Sequence, residues 1–368
     1  MRVGIIGGGQ LGRMLVQAGQ DLGIECTTLD PAADSPAAKV GPSIVGAYDD
    51  PAALDRLAAV SDVVTYEFEN VPVETAHSLA DRLPVYPAAT SLETGQDRLA
   101  EKTTFTEVGL AVPMFAAVED LASLEAAVEA VGLPAVLKTR RLGYDGKGQA
   151  VIRRIELLED AWRAIGEVPA ICEAFVPFDR EVSIIAVRSR DGDVRCWPLV
   201  ENHHREGILR LSLAPASGAA ALQAAAEERV RALMERLDHV GVLTIELFVA
   251  GESLLGNEMA PRVHNSGHWT IEGAQTSQFE NHLRAVCGLP LGDTDARGHA
   301  AMLNVIGREP DPQAVLAFPW AHLHRYGKAP REGRKLGHIT ICGDDEGTVR
   351  ERALQVSTLL PIPEPWPI

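Results

Sequence analysis

The feature that most constrains the fold is an apolar strand that runs straight into three consecutive glycines and then into a helical pattern. Residues 3–6 form the apolar run, Gly7-Gly8-Gly9 end it, and apolar side chains recur at helical spacing over residues 11–18. Further strand patterns follow at residues 24–29 and 63–68. This alternation predicts a parallel sheet flanked by helices, which is an α/β domain.

The glycines match the spacing G-x-G-x-x-G at Gly7, Gly9 and Gly12, and Asp30 ends the second predicted strand. In dinucleotide-binding proteins such glycines let the backbone approach a pyrophosphate at a helix N-terminus, and the acidic residue binds a ribose. Taken alone, the motif supports an NAD(P)-dependent oxidoreductase. The same turn also occurs in α/β proteins with other ligands, and in others it is only a tight structural turn.

The rest of the chain carries both helix and strand patterns. Helical patterns cover residues 92–108, 121–131 and 216–239, and strand patterns cover residues 135–139, 181–187 and 194–200. The last two strand patterns are neighbours and predict an antiparallel sheet. A chain of 368 residues is long enough for two or three domains.

The composition excludes several classes of protein. The net charge is −17, from 51 acidic and 34 basic residues, so the basic surface of a nucleic-acid binder is missing. No apolar run approaches the length of a membrane span, and the first residues do not form a basic-then-apolar leader. The five cysteines are scattered, as expected for reduced thiols. We therefore expect a cytoplasmic protein with no nucleic-acid or membrane partner.

Lys138 and the glycine-rich loop after it predict a phosphate site. Lys138 ends an apolar strand, where an ammonium group is costly to bury unless it meets an anion. Gly143, Gly146 and Gly148 then place several flexible backbone N–H groups close together, and Lys147 adds charge. The alternatives are a lysine that reaches solvent past the strand end, and a plain hairpin at the Asp-Gly pair.

Glu246 and Glu258 lie on two predicted strands joined by a turn near Glu252. If the hairpin is centred there, the two carboxylates face each other across the strands and repel. Buried carboxylates in this arrangement need a cation, and oxygen ligands completed by nucleotide phosphates suit magnesium. Asn257 or Asn265 is a further candidate oxygen ligand. A register shifted by one residue, or side chains in solvent, would remove the site.

These features occur in an order that resembles the ATP-grasp family, and within it the 5-(carboxyamino)imidazole ribonucleotide synthase family of purine biosynthesis. The strand over residues 171–176 would supply the adenine contacts, and Glu181 would take the ribose hydroxyls. The matching stretches are residues 7–14, 65–70, 96–98, 138 with 143–149, 257–268, 326–328 and 334–338.

The resemblance implies an ATP-grasp fold, α/β plus α+β. Residues 1–100 would form a Rossmann-like pre-ATP-grasp domain, and residues 101–298 the ATP-grasp domain, split near residue 180. Residues 299–368 would form a small β-rich C-terminal domain. Relatives are commonly dimers, so a homodimer is expected as well.

The resemblance also implies a reaction and a set of site residues. ATP, bicarbonate and aminoimidazole ribonucleotide would give the N-carboxylated ribonucleotide, ADP and phosphate, through carboxyphosphate. Magnesium would bind Glu246 and Glu258. The ATP-binding residues would be Arg98, Lys138, Gly143, Tyr144, Asp145, Gly146, Lys147, Gly148, Gln149, Glu173, Ala174, Phe175, Val176, Glu181, His204, Asn257 and Glu258. The ribonucleotide would meet Gln10, Glu67, Tyr144, Asp145, Lys147, Lys328, Arg331, Arg334 and Lys335.

The run over residues 257–268 carries the candidate catalytic residues. The guanidinium fork of Arg262 suits a bicarbonate or carboxyphosphate oxyanion. His264 would move a proton or donate to that anion, and Asn265 is a second choice beside it. His264 and His268 also have the spacing of a helical zinc pair, but Pro261 and the Ser-Gly pair at 266–267 argue against a helix.

Three other functions are compatible with parts of the sequence. Another ATP-grasp ligase, such as formate-dependent glycinamide ribonucleotide transformylase, shares the early glycine motif and the ATP apparatus. A nicotinamide oxidoreductase accounts for the first motif only. A nucleotide-sensing protein would bind ATP without turnover, and the magnesium carboxylates and Arg262 argue against it.

Overall fold

The computed structural model describes residues 1–143 and 147–360 and has the predicted fold class. Its described residues form three sheets. A parallel sheet lies at the N-terminus, a small antiparallel sheet follows, and a large sheet holds most of the remaining strands. None of the helices in this part of the chain has the length and apolar content that a membrane crossing requires.

The N-terminal sheet is parallel, as the alternating pattern predicts, with the strand order β3-β2-β1-β4. Its elements are β1 (Arg2–Ile6), α1 (Gln10–Asp21), β2 (Glu25–Asp30), β3 (Ser43–Val45), α2 (Pro51–Ala59), β4 (Val63–Tyr66), α3 (Val73–Ala80), α4 (Ala89–Gln96) and α5 (Arg98–Glu107). Buried aliphatic residues of β1, β2 and β4 hold the helices against the sheet.

The predicted single helix over residues 92–108 is wrong, because the chain breaks at Asp97. Asp97 has an extended backbone and caps α5 by accepting hydrogen bonds from the N–H groups of Leu99 and Ala100. Its carboxylate also accepts from Arg140 at 2.8 Å. An aspartate whose side chain competes for backbone N–H groups favours a helix start over a helix interior.

The small sheet is antiparallel, with the order β5-β8-β6-β7. Its elements are β5 (Phe115–Val118), α6 (Leu121–Val131), β6 (Ala135–Thr139), β7 (Gln149–Ile152), α7 (Leu158–Ala164) and β8 (Ala170–Ala174). The bounds of α6 and β6 agree with the sequence patterns. Lys138 lies near the end of β6, directly before the glycine-rich loop.

The large sheet is continuous from the middle of the chain into its C-terminal part, in the order β14-β13-β9-β11-β12-β15-β17-β16, with β10 on β9. Its elements and helices are β9 (Arg180–Arg188), β10 (Val194–Cys196), β11 (Val200–Arg205), β12 (Ile208–Ala214), α8 (Ala220–Arg236), β13 (Gly241–Ala250), β14 (Ser253–Ala260), α9 (Thr270–Gly273), α10 (Gln278–Cys287), β15 (His299–Ile306), α11 (Pro312–Leu316), β16 (Ala321–Arg325), β17 (Lys335–Gly343) and α12 (Glu346–Ser357). The single long strand predicted at residues 194–200 is wrong. These residues belong to β10 and to the start of β11, and residues 197–199 between them are not part of a strand.

Candidate active site

One cavity of about 890 Å³ lies where the three sheets meet. It brings together most of the residues that the sequence singled out. The predicted residues that line it are Gln10, Glu67, Arg98, Lys138, Gly143, Lys147, Gln149, Glu173, Ala174, Phe175, Val176, Glu181, His204, Glu246, Asn257, Glu258, Arg262, His264, Asn265, Lys328, Arg331, Arg334 and Lys335. Tyr144, Asp145 and Gly146 lie outside the described residues. Gly148 does not line the cavity, and its carbonyl instead accepts from the Thr139 N–H at 2.7 Å.

The N-terminal glycine motif does not form a dinucleotide site in this protein. Glu67, which follows β4, places its carboxylate at the start of α1, where it accepts from Gly9 N–H at 2.9 Å and Gly12 N–H at 3.0 Å. A Cβ on Gly9 would lie 2.5 Å from Glu67 Oε1. The Asp30 carboxylate likewise accepts a hydrogen bond from the Gly8 N–H, at 2.8 Å. An anion from the chain itself thus fills the position that a pyrophosphate would take.

Lys138 is paired with a buried carboxylate at the floor of the cavity. Its Nζ lies 2.9 Å from Glu173 Oε2, and Lys102 Nζ lies 3.6 Å from Glu173 Oε1. Burial opposes ionisation of Glu173, but Lys138 and Lys102 outweigh it and lower the pKa of Glu173. The resemblance predicted that Glu173 binds ATP. In the structure its side chain contacts two lysines, and its contact with ATP stays a prediction.

Lys102 is a buried cation next to the cavity that the sequence analysis missed. Its side chain is fully buried, and Nζ donates to the carbonyls of Gly256 at 2.9 Å and Asn257 at 2.7 Å. Burial lowers the pKa of Lys102 to about 8. A lysine in the middle of a helical pattern usually points to solvent, so the sequence carried no signal for it.

The carboxylates Glu246 and Glu258 are Cα partners across the β13–β14 hairpin, which confirms the predicted pairing. The reason differs from the prediction. Ala250 pairs with Ser253 at a two-residue turn, and this register would place Asn257 opposite Glu246. A bulge between Glu246 and Leu247 shifts the register by one residue, which leaves Asn257 as the extra residue.

Each carboxylate of this pair has a nitrogen partner. Glu258 Oε2 lies 3.0 Å from Arg98 Nη1, and Glu246 Oε1 lies 3.1 Å from His264 Nε2. Burial opposes ionisation of Glu246, but His264, His204 and Lys335 lower its pKa to about 2. No group of three His, Cys, Asp or Glu side chains that would hold a metal alone occurs among the residues described. The pair therefore fits a cation that takes its remaining ligands from phosphates and water, and it gives no support to zinc.

Beside the carboxylates, the cavity has an aromatic wall and a polar end. Phe178 and Phe248 stack with ring centroids 4.6 Å apart, and both line the cavity. Glu181 Oε2 lies 2.5 Å from His204 Nδ1. Burial opposes the charged form of His204, but Glu181, Glu246 and Glu258 raise its pKa. A flat base beside the rings, with its ribose near Glu181, matches this geometry. The sequence analysis did not single out the two phenylalanines.

The candidate catalytic residues lie in the segment after β14. Arg262 Nε contacts Glu69 Oε2, and Arg262 Nη1 donates to the Val263 carbonyl at 2.9 Å. Burial opposes the charge of Arg262, but Glu69 raises the pKa of the guanidinium. Asn265 exchanges amide hydrogen bonds of 3.0 and 2.7 Å with Asn304. Neither Glu69 nor Asn304 was a candidate at the sequence level, because each is distant along the chain from its partner.

The basic residues near the C-terminal part converge on the N-terminal helix. Lys328 Nζ contacts Gln10 Oε1 at the start of α1, and Lys328, Arg331, Arg334 and Lys335 all line the cavity. Burial lowers the pKa of Lys328 to about 8, and Arg334, Lys335 and Arg331 act in the same direction while Glu67 opposes them. Several cations held together in this way favour a dianionic ligand such as a phosphate monoester.

Comparison with protein families matches the chain in three consecutive segments. Residues 1–96 match a ribonucleotide synthetase pre-ATP-grasp domain, residues 103–279 an ATP-grasp domain, and residues 300–352 a phosphoribosylaminoimidazole carboxylase C-terminal domain.

Two full-length relatives carry the same name. The chain is 53% identical to N5-carboxyaminoimidazole ribonucleotide synthase of Pseudomonas aeruginosa over 360 residues, which covers 98% of this chain and 99% of that protein. The enzyme of the same name from Brucella melitensis is 49% identical and covers 92% of this chain and 95% of its own length.

Solved structures of such enzymes superpose over nearly the whole chain. The N5-carboxyaminoimidazole ribonucleotide synthetase of Thermus thermophilus is 55% identical, with a TM-score of 0.95 and 99% of each chain covered. A synthase from Aspergillus clavatus, solved in complex with ADP and 5-aminoimidazole ribonucleotide, is 32% identical, with a TM-score of 0.90 and 97% of each chain covered.

Proposed function

This chain belongs to the N5-carboxyaminoimidazole ribonucleotide synthase family of ATP-grasp ligases, and we propose that the cavity between its three sheets carries out that family's reaction. It is an ATP-dependent ligase of purine biosynthesis. The proposed substrates are ATP, bicarbonate and 5-aminoimidazole ribonucleotide, and the products are the 5-carboxyamino ribonucleotide, ADP and phosphate.

The observation that carries the proposal is the placement of Glu246 and Glu258 opposite each other, within the same cavity as Lys138 and the basic cluster around Lys328. The carboxylates would hold magnesium, which neutralises charge on the transferring phosphoryl group when it is bound. Lys138 supplies a second positive charge to the phosphates, and the stacked rings of Phe178 and Phe248 would hold the adenine.

The basic cluster is the proposed site for the 5′-phosphate of the ribonucleotide. Lys328, Arg331, Arg334 and Lys335 are the cations, and Gln10 and Glu67 border them from the N-terminal domain. Both oxygens of Glu67 already accept backbone N–H groups. We therefore propose that Glu67 mainly positions the loop beside the ribonucleotide, and Gln10 is the better candidate for direct contact.

Arg262 and Asn265 line the same cavity, and we propose that they act between the ATP site and the ribonucleotide site. A bicarbonate oxygen attacks the γ-phosphorus of ATP, which gives carboxyphosphate and ADP. The exocyclic amine of the ribonucleotide then attacks the carboxyl carbon, either in carboxyphosphate, with departure of phosphate, or in the carbon dioxide that forms once phosphate has left. The nitrogen gives up one proton to the released phosphate, which leaves the N-carboxylate. Arg262, held by Glu69, is placed to bind the planar oxyanion. Asn265, held by Asn304, is a second donor.

Phosphate release tests the proposal. Purified protein with MgATP and bicarbonate should release phosphate in strong dependence on 5-aminoimidazole ribonucleotide, and Glu258→Gln should abolish this release. Glu252→Gln is the matched control, because Glu252 lies exposed at the turn of the same hairpin. Release by Glu258→Gln at the wild-type rate would exclude the magnesium site. Release that requires formate and another amine would favour the transformylase alternative.

The site of action and the assembly are further parts of the proposal. A small-molecule ligase of purine synthesis is expected in the cytoplasm, and the family resemblance implies a homodimer. Sedimentation of the purified protein at several concentrations would test the dimer, and a mass of one chain at micromolar concentration would contradict it.

A further inference from the structure

A row of buried polar side chains crosses the large sheet beneath the cavity. Ser212 lies on β12, Asn202 on β11 and Ser183 on β9, and Ser266 lies in the turn that follows His264. Three of them are fully buried and Asn202 is 4% exposed. Hydroxyl and amide groups are costly to bury without partners, and apolar side chains would pack a sheet at lower cost. The row therefore calls for a role beyond packing.

The row is a continuous chain of hydrogen bonds that ends on the imidazole of His264. Ser212 Oγ donates to Asn202 Oδ1 at 2.8 Å, and Asn202 Nδ2 donates to Ser183 Oγ at 2.9 Å. Ser183 Oγ donates to Ser266 Oγ at 2.8 Å. Ser266 Oγ lies 2.9 Å from His264 Nδ1. A hydroxyl has one hydrogen to donate, so each link determines the direction of the next.

The backbone determines which way the chain runs. The Ser266 N–H points at His264 Nδ1 at 3.3 Å, and a backbone N–H can only donate. Nδ1 therefore carries the lone pair, and the Ser266 hydroxyl donates to it as well. With the chain reversed, Nδ1–H would face this backbone N–H directly, which places two donors against each other.

The opposite nitrogen of the ring points at the cavity. His264 Nε2 lies 3.1 Å from Glu246 Oε1. Gln278, fully buried, holds the backbone of His264 from both sides: its Oε1 accepts the His264 N–H at 2.9 Å, and its Nε2 donates to the His264 carbonyl at 2.7 Å. The ring is thus fixed in position as well as in hydrogen-bond direction.

We propose that Ser212, Asn202, Ser183 and Ser266 form a one-directional hydrogen-bond chain that keeps the imidazole proton of His264 on Nε2. His264 then presents an N–H to the oxygens in the cavity, which are the Glu246 carboxylate in this structure and an oxyanion of the substrate during turnover. The four residues are positioning residues, and His264 acts as a donor. The consequence for turnover rests on the proposed function, whereas the position of the proton does not.

Asn202→Asp tests the direction of the chain, because an ionised carboxylate only accepts hydrogen bonds. Ser212 and Ser183 would then both donate to residue 202, and the Ser266 hydroxyl would turn to Ser183. Its lone pairs would face Nδ1 and leave the longer contact from the Ser266 N–H, at 3.3 Å, as the remaining donor to that nitrogen, so the population of the Nδ1–H tautomer should rise. Asn281→Asp is the matched control, since Asn281 is also a fully buried amide and bonds to Gly292 instead.

The measurement is nitrogen NMR of protein labelled with ¹⁵N-histidine, with the His264 signals assigned by their loss in His264→Gln. The wild type and Asn281→Asp should show the Nε2–H tautomer, and Asn202→Asp should show a mixture with a clearly raised fraction of Nδ1–H. Ser266→Ala removes one hydroxyl and should give a mixture of both tautomers, so it serves if Asn202→Asp does not fold. A wild-type Nδ1–H tautomer, or a Ser266→Ala spectrum unchanged from the wild type, would overturn the proposal.

The rate of phosphate release distinguishes a failure of the hydrogen-bond chain from a failure of the proposed function. Loss of a group that orients an active-site side chain typically lowers activity about 10- to 100-fold, so Ser266→Ala should release phosphate at least about 10-fold more slowly. If the wild type shows the Nε2–H tautomer but no phosphate release that depends on the ribonucleotide, the proposed function fails and the chain stands. If release depends on the ribonucleotide but the proton lies on Nδ1, the chain alone fails.

Discussion

Lys102 is expected to hold the hairpin that carries Glu258, and Lys102→Met tests this. The ammonium group donates to the carbonyls of Gly256 and Asn257 and lies 3.6 Å from Glu173. Asn257 is the extra residue of the bulge that sets Glu258 opposite Glu246. The variant keeps an unbranched side chain of similar length, so it removes the charge and the donors with little change in volume.

The expected loss of unfolding free energy is about 3 kcal/mol. Removing one partner of a buried ion pair destabilises proteins by roughly 3–5 kcal/mol, because it leaves the other charge and its neighbours unsatisfied. We expect the lower end of this energy range, because Glu173 still has Lys138 as a partner at 2.9 Å when Lys102 is replaced. Burial already lowers the pKa of Lys102 to about 8, which shows that the ammonium is costly to hold and that part of the loss is offset.

Urea unfolding followed by tryptophan fluorescence and by circular dichroism measures the loss. Coincident transitions would justify a single free energy, and an unchanged slope would assign the shift of the midpoint to stability. The matched control is Arg236→Met. Arg236 pairs at 3.0 Å with Glu107 at the end of the same helix α5, and its side chain is 56% exposed. Exposed pairs contribute about 0–1 kcal/mol.

Equal losses in Lys102→Met and Arg236→Met would refute the argument that a buried cation holds the bulge. A second readout is the rate of phosphate release. If Lys102→Met loses stability but releases phosphate as the wild type does, the lysine stabilises the fold without determining the position of Glu258.

Three further predictions follow from single features of the structure. Burial lowers the pKa of His239 to about 3 and of His282 to about 4. Because an unfolded histidine titrates near pH 6.5, the two neutral rings contribute their full stability to the fold above about pH 6.5. This stability is lost as the pH falls from about 6.5 towards the two lowered pKa values, by up to about 1.4 kcal/mol per pH unit for each proton. Urea midpoints from about pH 7 to pH 5 should therefore fall less steeply in His282→Gln than in the wild type, and parallel slopes would contradict this. Lys328→Ala should raise the KM for aminoimidazole ribonucleotide about 10- to 100-fold, from the loss of one charged hydrogen bond, while Lys328→Arg recovers part of it; an unchanged KM would remove Lys328 from the phosphate site. Gly9→Ala places a Cβ 2.5 Å from Glu67 Oε1 and should cost about 1–3 kcal/mol of stability, whereas Gly347→Ala, with its nearest contact at 3.3 Å, should be close to neutral in the same urea titration.

The structural features that could be predicted from the sequence are those that depend on residues close together along the chain. The strand, glycines and helix at residues 3–18 follow from apolar periodicity and from the small size of glycine. Lys138 before its glycine-rich loop, and the two carboxylates on one hairpin, are likewise visible along the chain. The −17 charge is the observation behind the prediction of no nucleic-acid partner, and the lack of long apolar runs is the one behind the prediction of no membrane partner.

The oxidoreductase alternative shows that a local sequence pattern was not enough to identify the ligand of the glycine motif. The spacing of Gly7, Gly9 and Gly12 describes a helix N-terminus that accepts an anion, but it does not say which anion. Glu67, more than fifty residues later, supplies it. The same limit applies to Glu69 beside Arg262, since partners on different strands have no fixed spacing in sequence.

The sequence by itself determined the fold class and indicated residues from which a nucleotide site could be built, because strand and helix periods and glycine turns are local properties. Only the tertiary structure decided which of these residues meet, which anion fills the glycine turn, and that a bulge at Asn257 rather than a symmetric hairpin aligns Glu246 with Glu258. It also decided the direction of the hydrogen bonds that end on His264. These contacts join buried polar groups from distant segments of the chain, and each group needs a partner in a particular geometry. The energy of such a pair depends on both segments, so no single stretch of sequence predicts it.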